Sequence, residues 1–135
     1  MSATEKIAIS TPKAPTALGP YNQAVRVGST VFLSGQIGFD PAAGALVTGG
    51  VAAETVQTFE NIKAVLEAAG LSLAHVVKTT VFLRDMADFA TMNEIYARYL
   101  MVEGTVAPAR STIQAGRLPK DVAVEIECIA VGPTP

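Results

Sequence analysis

Two side chains near the C-terminus, Arg110 and Glu125, are the best candidates for chemistry in this sequence. The planar guanidinium of an arginine binds a carboxylate through two parallel hydrogen bonds. A glutamate can position water or move a proton when it is shielded enough from solvent to have a useful pKa. Both residues fall between Pro108 and Val131, so the pattern of that stretch indicates how they are positioned.

The stretch predicts two β-strands. Polar and apolar residues alternate from Arg110 to Ala115, and apolar residues occupy every second position from Val124 to Val131. Turn-forming residues between Gly116 and Asp121 separate the two runs and favour a hairpin.

Hairpin pairing would place Arg110, Glu125 and Glu127 on one face, because directly opposed residues share a face. Charged groups do not belong on the core side of a sheet. This face is therefore either solvated, with the charges forming surface ion pairs, or it lines a polar cleft. Arg110 would lie roughly 13 Å along the ladder from Glu125, at about 3.3 Å per residue. A bridging water or a neighbouring subunit would have to close that gap around a small acid.

The same stretch closely resembles the signature of the RidA (YjgF) family. The resemblance rests on Pro108–Ser111, Ile113, Gly116 and the hydrophobic-Glu-hydrophobic run Val124–Ile126. It extends over nearly the whole chain, through Gly19–Tyr21, Leu33–Gln36 and Asp88–Asn93.

The resemblance implies an α+β, chorismate-mutase-like fold of a single domain, assembled into homotrimers whose sheets face inward, with clefts between subunits. It also implies a cofactor-independent hydrolase without a metal. Such an enzyme converts reactive 2-enamine and 2-imine acids, such as 2-aminoacrylate and 2-aminocrotonate, to 2-keto acids and ammonia. Arg110 would bind the substrate carboxylate and Glu125 would handle water or protons. The residues expected to line the ligand cleft are Tyr21, Ser34, Gly35, Asn93 and Thr112.

Two of these residues have alternative interpretations, and a third departs from the family pattern. Tyr21 could pack under the proline-rich loop that precedes it, and Asn93 could hydrogen-bond a neighbouring backbone in a purely structural role. Many family members carry cysteine where this chain has Thr112, so a thiol nucleophile is not available at that position.

Two other functions are compatible with the same residues. The chain could bind small carboxylate metabolites without catalysis, or it could deaminate a different class of substrate. A nucleic-acid partner is disfavoured, because the net charge is −2 and no run of lysine or arginine occurs.

The whole chain, residues 1–135, is predicted to form one domain with the order strand, strand, strand, helix, strand, helix, strand, strand. Two helices can cover only one face of a six-stranded sheet, and the other face would be an association surface. A charged fraction of 16%, below the usual level of about 25%, also indicates that some apolar surface is covered by association. The other predicted strands are 7–9, 23–27, 30–34 and 76–83, and the helices are 51–69 and 89–100, the second with Asp88 as its N-cap.

Several functional classes are excluded by simple counts. Cys128 is the only cysteine and falls on the apolar face of its strand, so neither a disulfide within the chain nor a cysteine metal cluster can form. His75 is the only histidine. The N-terminus has no signal-peptide pattern, and no apolar run approaches the ~20 residues that cross a bilayer. We therefore expect a cytoplasmic protein without a membrane partner.

Overall fold

A computed structural model describes residues 4–134 and contains a six-stranded mixed sheet with two helices packed on one face. This confirms the predicted fold class. The single-domain prediction for residues 1–135 includes residues 1–3 and 135, which lie outside the described part. The strands are β1 (Lys6–Ile9), β2 (Ala24–Val27), β3 (Thr30–Gln36), β6 (Val76–Leu83), β7 (Ala109–Gln114) and β8 (Val124–Val131), with a small separate hairpin of β4 (Phe39–Asp40) and β5 (Ala45–Leu46).

The helices are α1 (Gly50–Ala68) and α2 (Phe89–Leu100), each within one residue of its predicted bounds. Apolar residues spaced three and four apart give α1 a buried stripe of Phe59, Ile62 and Leu66. This stripe packs on the side of the sheet to which β8 contributes Val124 and Ile126, both fully buried. No helix among residues 4–134 is long and apolar enough to cross a membrane.

The order of strands across the sheet is β1-β2-β3-β8-β6-β7. All neighbours are antiparallel except β6 and β7, which run parallel. Parallel neighbours need a crossover connection, and α2 supplies it. Strand β7 is therefore an edge strand, one of whose sides is free to pair with another chain.

The predicted hairpin between β7 and β8 is wrong. Strand β6 lies between them, so Arg110 is aligned with Thr79 and, across β6, with Cys128. Glu125 is aligned instead with Phe82 and Ile113. Alternation within each strand was predicted correctly, but Arg110 and Glu125 project from opposite faces of the sheet.

The face opposite the helices is half apolar. Three large hydrophobic side chains project from it and are exposed: Phe32 at 46%, Ile113 at 48% and Val131 at 41%. An apolar patch of this kind on a small domain is typical of an association surface. The predicted trimer with inward-facing sheets would cover this face, and it stays a prediction.

Candidate active site

A cleft of about 530 Å³ opens where β3 and β8 meet the proline-rich segment 11–20. This volume falls in the range that holds small-molecule ligands. The cleft is lined by four of the seven residues that were predicted to form the site, namely Tyr21, Ser34, Gly35 and Glu125. Arg110, Asn93 and Thr112 do not line it.

The carboxylate of Glu125 fits at the cleft because Gly35 has no side chain. A β-bulge falls between Leu33 and Gln36, and Gly35 lies within it, against the Glu125 carboxylate. A Cβ atom on Gly35 would lie 2.9 Å from the Glu125 carboxyl carbon and would overlap Oε2. Glycine at this position therefore creates the space that the carboxylate occupies.

The environment of Glu125 favours its protonated form. Burial of the carboxyl raises its pKa above the usual value of 4.5, and the negative charge of the nearby Glu127 raises the pKa further. A carboxyl group with a raised pKa is a stronger base than an ordinary glutamate and is suited to exchange protons with a bound water.

The wall of the cleft beside Glu125 is anchored through backbone contacts. The Ser34 hydroxyl donates a hydrogen bond to the Asn22 carbonyl at 2.6 Å, and the Ser34 amide donates to the Gln23 carbonyl at 3.0 Å. Tyr21 is 54% exposed, and its hydroxyl accepts a long hydrogen bond from the Leu18 amide at 3.4 Å. Its ring is therefore not packed beneath the loop, and most of it is free to contact a ligand.

Arg110 lies on the other side of the sheet, against α2. Its Nη1 donates to Asn93 Oδ1 at 2.6 Å, and its Cζ lies 4.6 Å from the ring centroid of Tyr96 and 5.5 Å from that of Phe89. Cation–π contacts of this kind orient a guanidinium without neutralising it. Among the described residues Arg110 makes no ion pair. Because an arginine has five N–H donors, it keeps several for a ligand.

Asn93 and Thr112 accompany Arg110 rather than Glu125. Asn93 orients the guanidinium from α2. Thr112 projects from the same face of β7 as Arg110, and its Oγ1 is buried without a hydrogen-bond partner in the described chain. The predicted site is thus divided into a glutamate half, with Tyr21, Ser34 and Gly35, and an arginine half, with Asn93 and Thr112.

The two halves are too far apart to serve one small ligand within one chain. The row containing Arg110 and the row containing Glu125 are separated by three residues along β7, about 10 Å at 3.3 Å per residue, and the sheet itself lies between them. A three- or four-carbon acid cannot contact both side chains.

Comparison with known proteins identifies the family. The family described as Endoribonuclease L-PSP matches residues 11–132. The chain belongs to the RidA (YjgF) family. It is 52% identical to a RutC family protein of Pyrococcus horikoshii over 93% of this chain and 97% of that protein. It is also 52% identical to the 2-iminobutanoate/2-iminopropanoate deaminase of Mus musculus, over 97% of this chain and 95% of the relative.

A solved RidA-family structure has the same fold. The crystal structure of E. coli TdcF with bound serine superimposes with a TM-score of 0.88 at 46% identity, and the match covers 93% of this chain and 98% of TdcF. The bound serine shows that this relative accepts a small molecule that carries a carboxylate.

Two side chains of this RidA-family chain that contact the walls of the cleft were not identified as site residues from the sequence. Gln23 and Asn61 are buried carboxamides that hydrogen-bond backbone atoms around the cleft. Asn61 lies three residues after Thr58 and four before Val65, the spacing of the buried stripe of α1. That position was the signal that could have drawn attention to Asn61, because buried amides are normally hydrogen-bonded.

One segment beside the glutamate half is strained. Lys120 and Asp121 both adopt positive φ angles of 55°, a left-handed conformation that disfavours residues with a Cβ. Lys120 lines the cleft, and Arg84 holds the strained segment by donating to the Asp121 carbonyl at 2.8 Å.

The part of the chain that the structure describes has neither a metal site nor a reactive thiol. Among residues 4–134 no group of histidine, cysteine and acidic side chains is placed to hold a metal ion. Burial raises the pKa of the Cys128 thiol to about 12, so this side chain is a poor nucleophile.

Proposed function

We propose that this chain hydrolyses reactive 2-enamine and 2-imine acids to 2-keto acids and ammonia. The proposal is supported by the name and the 52% identity of the mouse deaminase, and by serine in the crystal structure of TdcF. The structural observation that carries it is the carboxyl of Glu125, half-buried in a ligand-sized cleft and shifted toward its protonated form.

The proposed site forms between two copies of the chain in a homotrimer. The glutamate half of one copy supplies a cleft with a proton-transfer group, and the arginine half of a second copy supplies an unneutralised guanidinium on the edge strand β7. The exposed apolar residues on the open face of the sheet support this association, because a second copy would remove them from water. Each half lacks what the other provides.

Arg110 would bind the substrate carboxylate through parallel hydrogen bonds and hold C2 of the imine over Glu125. Asn93 and the rings of Phe89 and Tyr96 fix the direction of the guanidinium. Tyr21, Ser34 and the backbone of Gly35 would contact the rest of the substrate, and Thr112 would shape the site beside Arg110.

Glu125 would manage two proton transfers. An enamine first becomes the imine by moving a proton from its nitrogen to C3. In the first step of hydrolysis, the oxygen of a bound water then forms a bond to C2 while the Glu125 carboxylate, a stronger base because its pKa is raised, accepts a water proton and passes it to the imine nitrogen. The carbon then bears a hydroxyl and an amino group. In the second step Glu125 moves the hydroxyl proton to the amino nitrogen, the C–N bond breaks, ammonia leaves and the 2-keto acid remains.

The reaction can be tested by coupling the protein to a serine or threonine dehydratase, which releases these intermediates. Wild-type protein should accelerate the appearance of the 2-keto acid. Arg110→Ala should abolish the acceleration, whereas Arg110→Lys should retain part of it, because it keeps the charge but loses the bidentate geometry. Full activity of Arg110→Ala would refute the assignment.

A second candidate function is non-catalytic binding of small carboxylate metabolites. The serine bound to TdcF favours it, because serine is an amino acid rather than an imine. Binding of 2-oxobutanoate that depends on Arg110, together with no acceleration of any imine, would support this function over catalysis.

Nucleic acid is not proposed as a partner, although the family description refers to an endoribonuclease. The net charge of −2 does not provide the positive surface that a polyphosphate backbone requires. Lys120 is the one basic side chain that lines the cleft, so the cleft has no cluster of positive charge.

A further inference from the structure

Two buried carboxamides hold two segments that line the cleft. Gln23 is 5% exposed, and its side chain binds the proline-rich segment at four backbone atoms. Its Oε1 accepts from the Thr11 amide at 2.7 Å, and its Nε2 lies within hydrogen-bond distance of the carbonyls of Thr11, Ala14 and Pro15, at 3.1, 3.3 and 2.7 Å.

Asn61 performs the same task on the other segment. It is 1% exposed and projects from α1, where Gln57 donates to its Oδ1 at 2.9 Å. Its Nδ2 donates to the carbonyl of Ile37 at 3.0 Å and to that of Phe39 at 2.8 Å. Both of these residues line the cleft, just beyond Gly35 and the β-bulge.

The wall that Gln23 contacts has no regular secondary structure. Residues 11–20 contain three prolines and form no regular helix or strand, so they lack the ladder of backbone hydrogen bonds that fixes other parts of the chain. Ala14, Pro15 and Tyr21 of this region line the cleft. The buried Ala14 and the hydrogen bond from the Leu18 amide to Tyr21 also hold this wall, and Gln23 adds contacts to four of its backbone atoms.

We propose that Gln23 and Asn61 are positioning residues that set the width of the cleft and thereby its affinity for the ligand. Neither needs to contact the reacting atoms, because each acts through backbone carbonyls of the wall it holds. This inference rests on the function proposed above, and it predicts that altering either amide changes KM more than kcat.

The first experiment compares Gln23→Met, which keeps the length of the side chain but removes its donors, with wild type in the dehydratase-coupled assay. We expect KM to rise about tenfold, the equivalent of about one hydrogen bond, with kcat within about twofold. Binding of 2-oxobutanoate, measured by calorimetry, should weaken by a similar factor. The binding measurement decides the inference even if the imine reaction fails.

A control separates positioning from simple loss of stability. Ile62 is a buried core residue of α1 that does not line the cleft, and Ile62→Val removes one methylene and lowers stability by about 1 kcal/mol. We expect its KM and its affinity for 2-oxobutanoate to equal those of wild type. The inference is overturned if Gln23→Met has unchanged KM and unchanged 2-oxobutanoate affinity, with only its Tm lowered as in Ile62→Val.

A second pair of variants tests the role of the N–H donors directly. Gln23→Glu is isosteric, but as a carboxylate it directs negative charge at three carbonyls, whereas its protonated form regains one donor. Its KM should therefore fall as pH is lowered, relative to wild type at the same pH. Asn61→Asp should behave in the same way. A ratio of variant to wild-type KM that does not change with pH in either variant would contradict the proposal.

Discussion

The glutamate half and the arginine half of the site are built in different ways. Glu125 depends on empty space, since its carboxylate fits only because Gly35 has no side chain, and a loop without regular structure forms the facing wall. Arg110 depends on contact, since a strand positions its backbone and α2 supplies an amide and two aromatic rings. Both halves are organised within one chain, yet they face opposite sides of the sheet. The difference teaches that folding of one chain prepares each half, and in the proposed site the association of two copies brings the halves together.

The largest effect is expected from removing the proton-transfer group. Glu125→Gln should lower kcat by about 10²- to 10⁴-fold, the range associated with general acid–base catalysis, with little change in the binding of 2-oxobutanoate. Coupled-assay kinetics and calorimetry measure the two quantities. Weakened binding with unchanged kcat would assign Glu125 to ligand contact instead.

The same variant has an effect on stability that depends on pH. Because the folded-state pKa of Glu125 is raised, its protonated form favours folding below the unfolded value near 4.5, and this contribution is lost as pH rises through the folded value. Glu125→Gln should therefore be more stable than wild type at pH 7 and no more stable below pH 4. Thermal unfolding at both pH values would show this crossover, and a constant difference would contradict it.

A smaller effect should follow from filling the space beside Glu125. Gly35→Ala forces the carboxylate to move, and we expect kcat to fall by about 10-fold to 100-fold, as when a catalytic group is displaced by about 1 Å. Adding Glu125→Asp, which shortens the side chain by one methylene, should restore part of the loss. Wild-type kinetics in Gly35→Ala would show that the carboxylate position is unimportant.

Substitutions in the arginine half should have smaller effects on the kinetics, because several groups together orient Arg110. Asn93→Ala removes one hydrogen bond from Arg110 but leaves both rings, and we expect KM to rise about tenfold with kcat less affected. Glu94→Ala is the matched control on the same helix, because its ion pair with Arg98 is exposed at the surface and contributes little. An equal change of KM in both variants would remove Asn93 from the site.

The smallest effect concerns the strained segment beside the cleft. Lys120→Gly should relieve about 1 kcal/mol of left-handed strain, partly offset by about 0.5 kcal/mol of added freedom in the unfolded chain. The net result should be a slight increase in the free energy of unfolding, measured with urea. Lys120→Ala removes the same charge but keeps a Cβ, so it should show no such gain. Equal stabilities of the two variants would argue against backbone strain.

The sequence predicted the elements of this fold well and their pairing less well. The bounds of both helices and of β6 were recovered, because periodicity within a segment records which of its sides is buried. The partner of a strand is a non-local property. The order of β6, α2 and β7 is a strand-helix-strand pattern that predicts parallel neighbours, and it outweighed the turn residues between β7 and β8.

The division of the site could not be predicted for the same reason. Alternation placed Glu125 opposite the apolar face correctly, but the face of Arg110 depends on which strand it pairs with. The carboxamide of Gln23 was even less accessible to prediction, because its partners lie 8 to 12 residues away in an irregular segment.

Complementation between inactive variants tests most directly whether the site forms between copies. Arg110→Ala and Glu125→Gln are mixed in equal amounts, unfolded and refolded together, and assayed beside each variant refolded alone. If Arg110 of one copy meets Glu125 of another in a cyclic assembly, about one interface in four retains both side chains, and about a quarter of wild-type activity should return. If both side chains act within one chain, no mixed assembly contains an intact site, and the mixture would be as inactive as its components.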